Sequence, residues 1–512
     1  MKIKIAKKYL IFPVNTLSSK KEMFFKIGNE TVYRLNIKLD NINPDFYAYI
    51  DMTRFIGEEV ELSIMPEMEI NYRVSDTIDS ENLYKEPYRP QIHFTPKSGW
   101  MNDPNGLIYS DGVYHMFFQY NPTEPNWDNM HWGHAVSTDL VHWEETDVAL
   151  FPDSRGTMFS GSAVFDTKKM LGENTIALFY TTTTPFCQNM SYTDDNFKTI
   201  KHSGKAVVEH IVACNRDPKV IFCDELECYI MALYLENDIY CIFTSKNLTD
   251  WKELQRIPLN GDNECPDIFP LTSKDGERKW ILIGAHDRYL VGEFKNGKFT
   301  PVQSESSLNY GTSGYAGQTF SNLENGRIVR MVWDRWNITT TFNFKGQMSV
   351  PMEMSLSKCN DTYYLKAMPV DEIKALYNVT KHHSTVTVSP ANSFTDTLED
   401  TAQLIKIKGT LPQEGTMNFK LFGRSIEFDF AKNIASIGQT TAPISLTGNE
   451  FDMTLIADRC SFELFSDDGK IVISELNNDT YSDRNLPYLT ISTDKEITFD
   501  HIEINSLKSI WE

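Results

Sequence analysis

Short runs of alternating or β-branched residues recur along the chain, and helical periodicity is scarce. Tyr114–Tyr120, Thr175–Thr182, Tyr229–Leu235, Lys279–Ala285 and Arg327–Trp333 are examples, with Gly, Asn, Asp and Pro breaking the chain between such runs. A side-chain period of two punctuated by turn-formers predicts an all-β protein. Ser137-Thr-Asp-Leu-Val-His-Trp143 is echoed by Ser245-Lys-Asn-Leu-Thr-Asp-Trp251, and Ser191-Tyr-Thr-Asp-Asp-Asn-Phe197 lies halfway between them. The serines are spaced by 54 and 54 residues, and so are the closing aromatics. A period of several strands per unit marks a β-propeller, and residues 91 to about 365 leave room for five blades.

On either side of this stretch the pattern changes. Val32–Leu39, Asp45–Met52 and Glu59–Met65 read as strands of a separate N-terminal piece. Ser80-Glu-Asn-Leu-Tyr-Lys-Glu-Pro-Tyr-Arg-Pro90 suits neither strand nor helix and reads as a linker. Asp371–Tyr377 is a short helical candidate, after which strands and turns return, as in a β-sandwich. The expected organisation is a small β domain over 1–88, a five-bladed propeller over 89–370 and a C-terminal β-sandwich over 371–512.

Length and composition narrow the function. At 512 residues the chain has room for two or three domains, and 41% hydrophobic with 23% charged residues is ordinary globular composition. Aromatic residues make up 12%, which suits β structure and sugar-stacking surfaces. A net charge of −21 repels nucleic acids and anionic membranes, so neither is an expected partner. No apolar run reaches 18 residues, and Tyr9–Val14 with its Pro13 is too short for a signal-peptide core. The expected location is the cytoplasm. Eight scattered cysteines without a CxxC pair fit reduced thiols there.

Three carboxylates stand in special local contexts. Asp103 lies in Trp100-Met-Asn-Asp-Pro-Asn-Gly106, where Pro104 stiffens the backbone and Gly106 permits a tight turn. Asp217 sits between Arg216 and Pro218, and Glu264 lies in Asn263-Glu-Cys-Pro-Asp267. Taken singly, each is also what an Asx turn, a surface ion pair or a loop glutamate looks like. Taken together they suit glycoside cleavage: one carboxylate attacks the anomeric carbon, a second carboxyl protonates the leaving oxygen, and a third holds sugar hydroxyls.

The combination resembles glycoside hydrolase family 32, the β-fructofuranosidases. The motifs that carry the resemblance, in the family's order, are His93-Phe-Thr-Pro96, Trp100–Gly106, Phe118-Gln-Tyr-Asn-Pro122, His131-Trp-Gly-His-Ala135, Phe159-Ser-Gly-Ser162, Arg216-Asp-Pro218, Glu264-Cys-Pro-Asp267, Tyr315-Ala-Gly-Gln-Thr-Phe320 and Asp458–Phe465. The resemblance implies a propeller followed by a sandwich, with the site in the propeller funnel. It implies Asp103 as nucleophile, Glu264 as acid/base and Asp217 as transition-state stabiliser, in a retaining mechanism that needs no metal or organic cofactor. Asn102, Gln119, Trp127, Phe159, Ser160, Arg216 and Tyr315 match positions that bind the fructose unit, and Arg216 is expected to keep Asp217 ionised. Two family tryptophans near the fifth blade correspond to Trp333 and Trp336, which are three apart instead of four; Trp336 is the favoured pocket residue.

The implied activity is release of fructose from fructans or fructo-oligosaccharides, as a levanase-like exo-enzyme. A sucrose-preferring invertase and a fructosyltransferase on the same scaffold are the alternatives. Residues 1–88 resemble the small N-terminal domain of levanase-like members, and three roles stay open for them: binding a fructan chain, bracing the propeller rim, or pairing the chain into a homo-oligomer. His131 and His134 read as packing and hydrogen-bonding residues, since no third metal ligand lies nearby. The N-x-[ST] triplets at Asn29, Asn337 and Asn378 carry no meaning in a cytoplasmic protein.

Overall fold

A computed structural model of the protein describes residues 1–79, 81–335, 343–399, 402–444, 450–476 and 488–512. These residues are almost entirely strands and turns, as the alternation predicts; the departures are 3₁₀ turns, of which the longest, Asp371–Leu376, falls at the helical candidate.

Residues 1–75 form two sheets. Lys2–Lys4, Glu59–Met65, Lys21–Ile27 and Glu30–Ile37 are hydrogen-bonded in that order, and Phe46–Asp51, Tyr9–Val14 and Arg73–Ser75 make the second sheet. Glu59–Met65 alternates strictly between exposed and buried, so Val60, Leu62 and Ile64 enter a core shared with Phe12, Phe25 and Ile50. The expected strands at 32–39 and 45–52 are observed at Glu30–Ile37 and Phe46–Asp51. Tyr9–Val14 is a fully buried central strand, which is why it shows no alternation.

Five sheets follow among the described residues, designated I to V, antiparallel except where Phe344–Lys345 runs parallel to Gly99–Ser110 in sheet I. Their first strands are Gly99–Ser110, Met158–Phe165, Arg216–Cys223, Asp267–Thr272 and Gly314–Thr319. Neighbouring first strands are tied by side-chain bonds. Asn105 Oδ1 accepts from Gly161 N (3.2 Å), Ser162 Oγ donates to Pro218 O (2.8 Å), and Lys219 pairs with Asp267 (3.1 Å). Asp267 Oδ2 accepts from Thr319 N (2.6 Å), and Gln318 Oε1 accepts from Leu107 N (3.3 Å).

The 54-residue repeat falls on the turn after the third strand. Ser137 and Ser245 each accept from the N–H two residues on, and Trp143 and Trp251 donate their indole N–H to the carbonyls of Leu140 and Leu248. In sheet II the register differs from the expected one. Thr193, bonded to Asp195 at 2.8 Å, takes the serine's place, while Ser191 lies inside its strand against Tyr180 and His202. The cap residue thus sits two residues later, four before its aromatic instead of six, and still accepts from the N–H two residues on at 3.4 Å.

From Tyr377 onward, two six-stranded antiparallel sheets enclose one core, with Ile405, Leu455, Leu464 and Phe499 from one sheet meeting Phe419, Ile426, Phe428 and Ile491 from the other. The segment before sheet I forms no strand, as expected of a linker, yet it is anchored: Arg89 is fully buried, paired with Glu86, bonded to Thr95 Oγ1 (2.8 Å) and Pro96 O (2.7 Å), and stacked 3.4 Å over Phe344.

A buried ionic clasp joins the C-terminal sheets to the rest. His93 Nδ1 lies 2.8 Å from Asp458 and Nε2 lies 3.0 Å from Glu463. Burial opposes charge on the ring, but the two carboxylates outweigh it and raise His93 to about 10. Burial likewise opposes the Asp458 carboxylate. His93 and the N–H groups of Ile92 and Gln91 outweigh it and lower Asp458 to about 2. Stability from the His93 proton is therefore complete below its ordinary value of 6.5 and is lost as pH rises through about 10. Stability from Asp458 is complete above its ordinary 3.8 and is lost as pH falls through about 2. His93→Gln is expected to cost about 3–5 kcal/mol at pH 6. Urea midpoints measured at pH 6 and pH 10 should fall for the parent protein and change little for the variant.

Candidate active site

The cleft that gathers the candidate residues opens at the start of the first strands of sheets I, II, III and V and just before that of sheet IV. It holds about 400 Å³ and is lined by Asn102, Asp103, Gln119, Trp127, Phe159, Ser160, Arg216, Asp217, Glu264 and Tyr315, together with Phe186, Cys214 and Trp333. Every site residue anticipated from sequence is there except Trp336, which lies outside the described residues. Trp333, the less favoured of the pair, lines the cleft, its ring 5.7 Å from Trp100 and 6.2 Å from Tyr315.

Local backbone irregularity aims these side chains. The ladder slips between Met101 and Pro104, Met158 and Gly161, Arg216 and Lys219, and Tyr315 and Gln318. Such bulges bend the strand and re-aim its side chains. Asp217, Glu264, Cys265 and Ala316 adopt φ of 67°, 57°, 35° and 54°, which costs about 1–3 kcal/mol each in a residue with a Cβ. Gly106, at φ 52°, has no such choice: a Cβ there would lie 2.8 Å from the Phe117 ring and 3.0 Å from Trp132.

Asp103 accepts a hydrogen bond from Ser160 Oγ at 2.6 Å. Burial raises its carboxyl above the ordinary value, against the bonds from Ser160 and Asn102 that hold it down. Asn102 is itself fixed by Trp100 Nε1 at 2.7 Å. Asp217 takes the Cys265 N–H at 3.1 Å and donates its own backbone N–H to Thr181 Oγ1 at 3.0 Å. Glu264 stands between two donors: Arg216 Nη2 bonds one oxygen and Tyr315 OH donates to the other at 2.6 Å.

The expected partnership of Arg216 with Asp217 is only partly realised. The guanidinium gives its hydrogen bond to Glu264, and its Nε stays 3.7 Å from Asp217. Burial pushes Asp217 up to about 7 despite Arg216, and the Glu264 and Asp103 charges add to the rise. Sequence reasoning also missed Cys265 as a site residue. Its thiol lies 3.5 Å from Asp103 and 3.4 Å from Asp217, between the two carboxyls, which together with burial keep it protonated. Its position beside Glu264 was the available signal. Phe186, 5.8 Å from Phe159, sits beside a hairpin tip and had none.

Aromatic walls, a polar floor and three carboxyls able to carry a nucleophile, a proton donor and a hydroxyl clamp define a glycoside hydrolase. The chain belongs to glycosyl hydrolases family 32, whose N-terminal domain model matches residues 93–369. It is similar to a levanase of Bacillus subtilis, 31% identical over 497 residues that cover 85% of this chain and 73% of that protein. It is also similar to a fructan beta-fructosidase of Streptococcus mutans, 32% identical over 352 residues, covering 62% of this chain but 24% of that longer protein. The crystal structure of an exo-inulinase from Aspergillus awamori aligns with a TM-score of 0.72 at 25% identity, over 84% of this chain and 100% of the other.

Because Arg216 is the cation that opposes the rise of Asp217, Arg216→Gln is expected to shift the acid limb of the kcat/KM pH profile upward, beyond any fall in rate. An unshifted limb in the variant would mean that Arg216 does not set the ionisation that limits the free protein.

Proposed function

We propose that the protein releases fructose from the ends of β-fructan chains and fructo-oligosaccharides, with retention of configuration. The observation that carries this reading is the gathering of Asp103, Asp217 and Glu264 in one aromatic-walled cleft, in a chain similar to a levanase and a fructan beta-fructosidase. Asp103 attacks the anomeric carbon while Glu264 gives its proton to the leaving glycosidic oxygen. Glu264 then takes a proton from water, whose oxygen displaces Asp103 and frees fructose. Asp217 accepts hydrogen bonds from fructose hydroxyls, Asn102, Gln119 and Arg216 fix the remaining ones, and Phe159 covers the apolar edge, with Trp127 at the rim.

The reading includes a five-bladed propeller over 89–370, a sandwich over 371–512 and a separate domain over 1–88. The side-chain ties between successive first strands support the first of these, and the shared core of the last two sheets supports the second. Limited proteolysis should cut between these units before it cuts within them. The buried thiols of Cys187, Cys223, Cys228, Cys241 and Cys265 support a reducing compartment, the cytoplasm; activity after cell fractionation should be cytosolic.

Sucrose, inulin-type oligosaccharides and levan, each incubated with the protein and sampled over time, test the activity. Free fructose is expected as the first product from the fructans, initially of unchanged anomeric configuration by NMR. Asp103→Asn should lower kcat by about 10³-fold or more, and Glu264→Gln by about 10²- to 10⁴-fold. Oligosaccharides appearing before fructose would exclude end-wise cleavage, and no turnover of any β-fructoside would overturn the reading.

A further inference from the structure

The N-terminal sheets hold the loop that carries Trp127. This loop, residues 122–130, leaves the second strand of sheet I and returns into the third. Trp127 lines the cleft yet keeps 55% of its surface in solvent, so its indole forms the rim, edge-on to Phe159 at 5.9 Å. A sugar unit adjoining the bound fructose would meet the rim and not the floor. The side chain is thus placed for the leaving group, and its backbone has to be held for that contact to form.

The holding groups come from residues 20–38. Asn36 N donates to Asn129 Oδ1 at 2.6 Å, and Asn129 Nδ2 donates back to Asn36 O at 2.7 Å, as in a pair of strands. The same Asn129 amide reaches Asn121 Oδ1 (3.2 Å) and Thr123 Oγ1 (3.0 Å), closing the base of the loop. Lys38 pairs with buried Glu124 at 2.7 Å, and Lys20 pairs with Asp128 at 2.6 Å. From below, His131 bonds Tyr33 OH at 2.8 Å through one ring nitrogen and the Asn129 carbonyl through the other. Loop residues on both sides of Trp127 are therefore tied to the N-terminal sheets, and Asn129 is the knot.

We infer that residues 1–75 act as a positioning element for the leaving-group side of the cleft: they set Trp127 through Asn36–Asn129 and Lys38–Glu124 and thereby favour chains that continue beyond the terminal fructose. This rests on the fructan-cleaving reading above. It selects the bracing role and gives it a consequence for substrate choice.

The test compares Asn129→Gly, Lys38→Met and Lys38→Arg in the full chain. Glycine keeps the left-handed backbone of Asn129 (φ 49°) while deleting its side-chain bonds. With Asn129→Gly and Lys38→Met, KM for levan or inulin is expected to rise about five- to tenfold, the loss of one positioned aromatic–sugar contact. The kcat on those chains, and both constants on methyl β-D-fructofuranoside, which carries no sugar beyond the fructose, should stay within about twofold. Lys38→Arg should restore the parent values. Hydrogen–deuterium exchange of the 122–130 segment should be faster in Lys38→Met and parent-like in Lys38→Arg, which keeps the inference testable should Asn129→Gly fail to fold. Equal losses on the methyl fructoside and fructan, unchanged constants on both, or unchanged exchange would overturn it. So would a parent dimer in light scattering that Lys38→Met converts to monomer, because the N-terminal sheets would then act through self-association. A parent protein that cleaves no β-fructoside sinks the functional reading instead.

Discussion

In a regular strand, consecutive side chains point to opposite faces. Asn102 and Asp103, Phe159 and Ser160, and Arg216 and Asp217 are consecutive pairs, yet both members of each pair line one cleft. The bulges at the starts of these first strands make that geometry available, and the rest of the site depends on it. Without them one residue of each pair would turn toward the neighbouring sheet. The strained φ values at Asp217, Glu264 and Cys265 belong to the same distortion. What holds the distortion in place lies just behind it: buried Lys219 pairs with Asp267 and reaches the Thr319 carbonyl at 2.8 Å, and Asp267 takes the Thr319 N–H. Three sheets are thereby locked one step behind the carboxyls.

Burial makes the electrostatics of the cleft a balance, not a set of ion pairs. Arg216 is shared between Glu264 and Asp217, and it does not offset the cost of placing Asp217 out of water beside two other carboxyls. Cys265 adds an uncharged weak donor between Asp103 and Asp217. The Tyr315 hydroxyl plays a similar part for Glu264.

Much of this was legible in the sequence because the relevant signals are local. Period-two patterning reports strands, so the all-β class could be read; the three carboxyls, each of which alone also suits a turn or loop, stood out through motifs that resemble those of family 32. Contacts between distant segments could not. Nothing near Tyr9–Val14 distinguishes a buried central strand from a short apolar patch, because burial on both faces erases alternation. Trp333 and Trp336 differ in sequence by register alone, and only the pairing of Trp333 with Tyr315 across the ladder places it in the cleft. The Asn36–Asn129 knot rests on residues that read, taken singly, as ordinary turn-formers.

The last residues of the chain close onto the start of sheet I. Trp511 donates its indole N–H to Pro90 O at 2.7 Å and stacks on Tyr84 at 3.9 Å, while Ile510 N bonds Gln91 O. His93 then waits for Asp458 and Glu463. During synthesis the catalytic sheets leave the ribosome long before these partners exist. A nascent chain can form its strands in order, but the segment leading into the first of them acquires its final contacts only once residues 458–511 have emerged. Contacts of such sequence separation make folding slow, so the lead-in to sheet I settles after the strands that follow it.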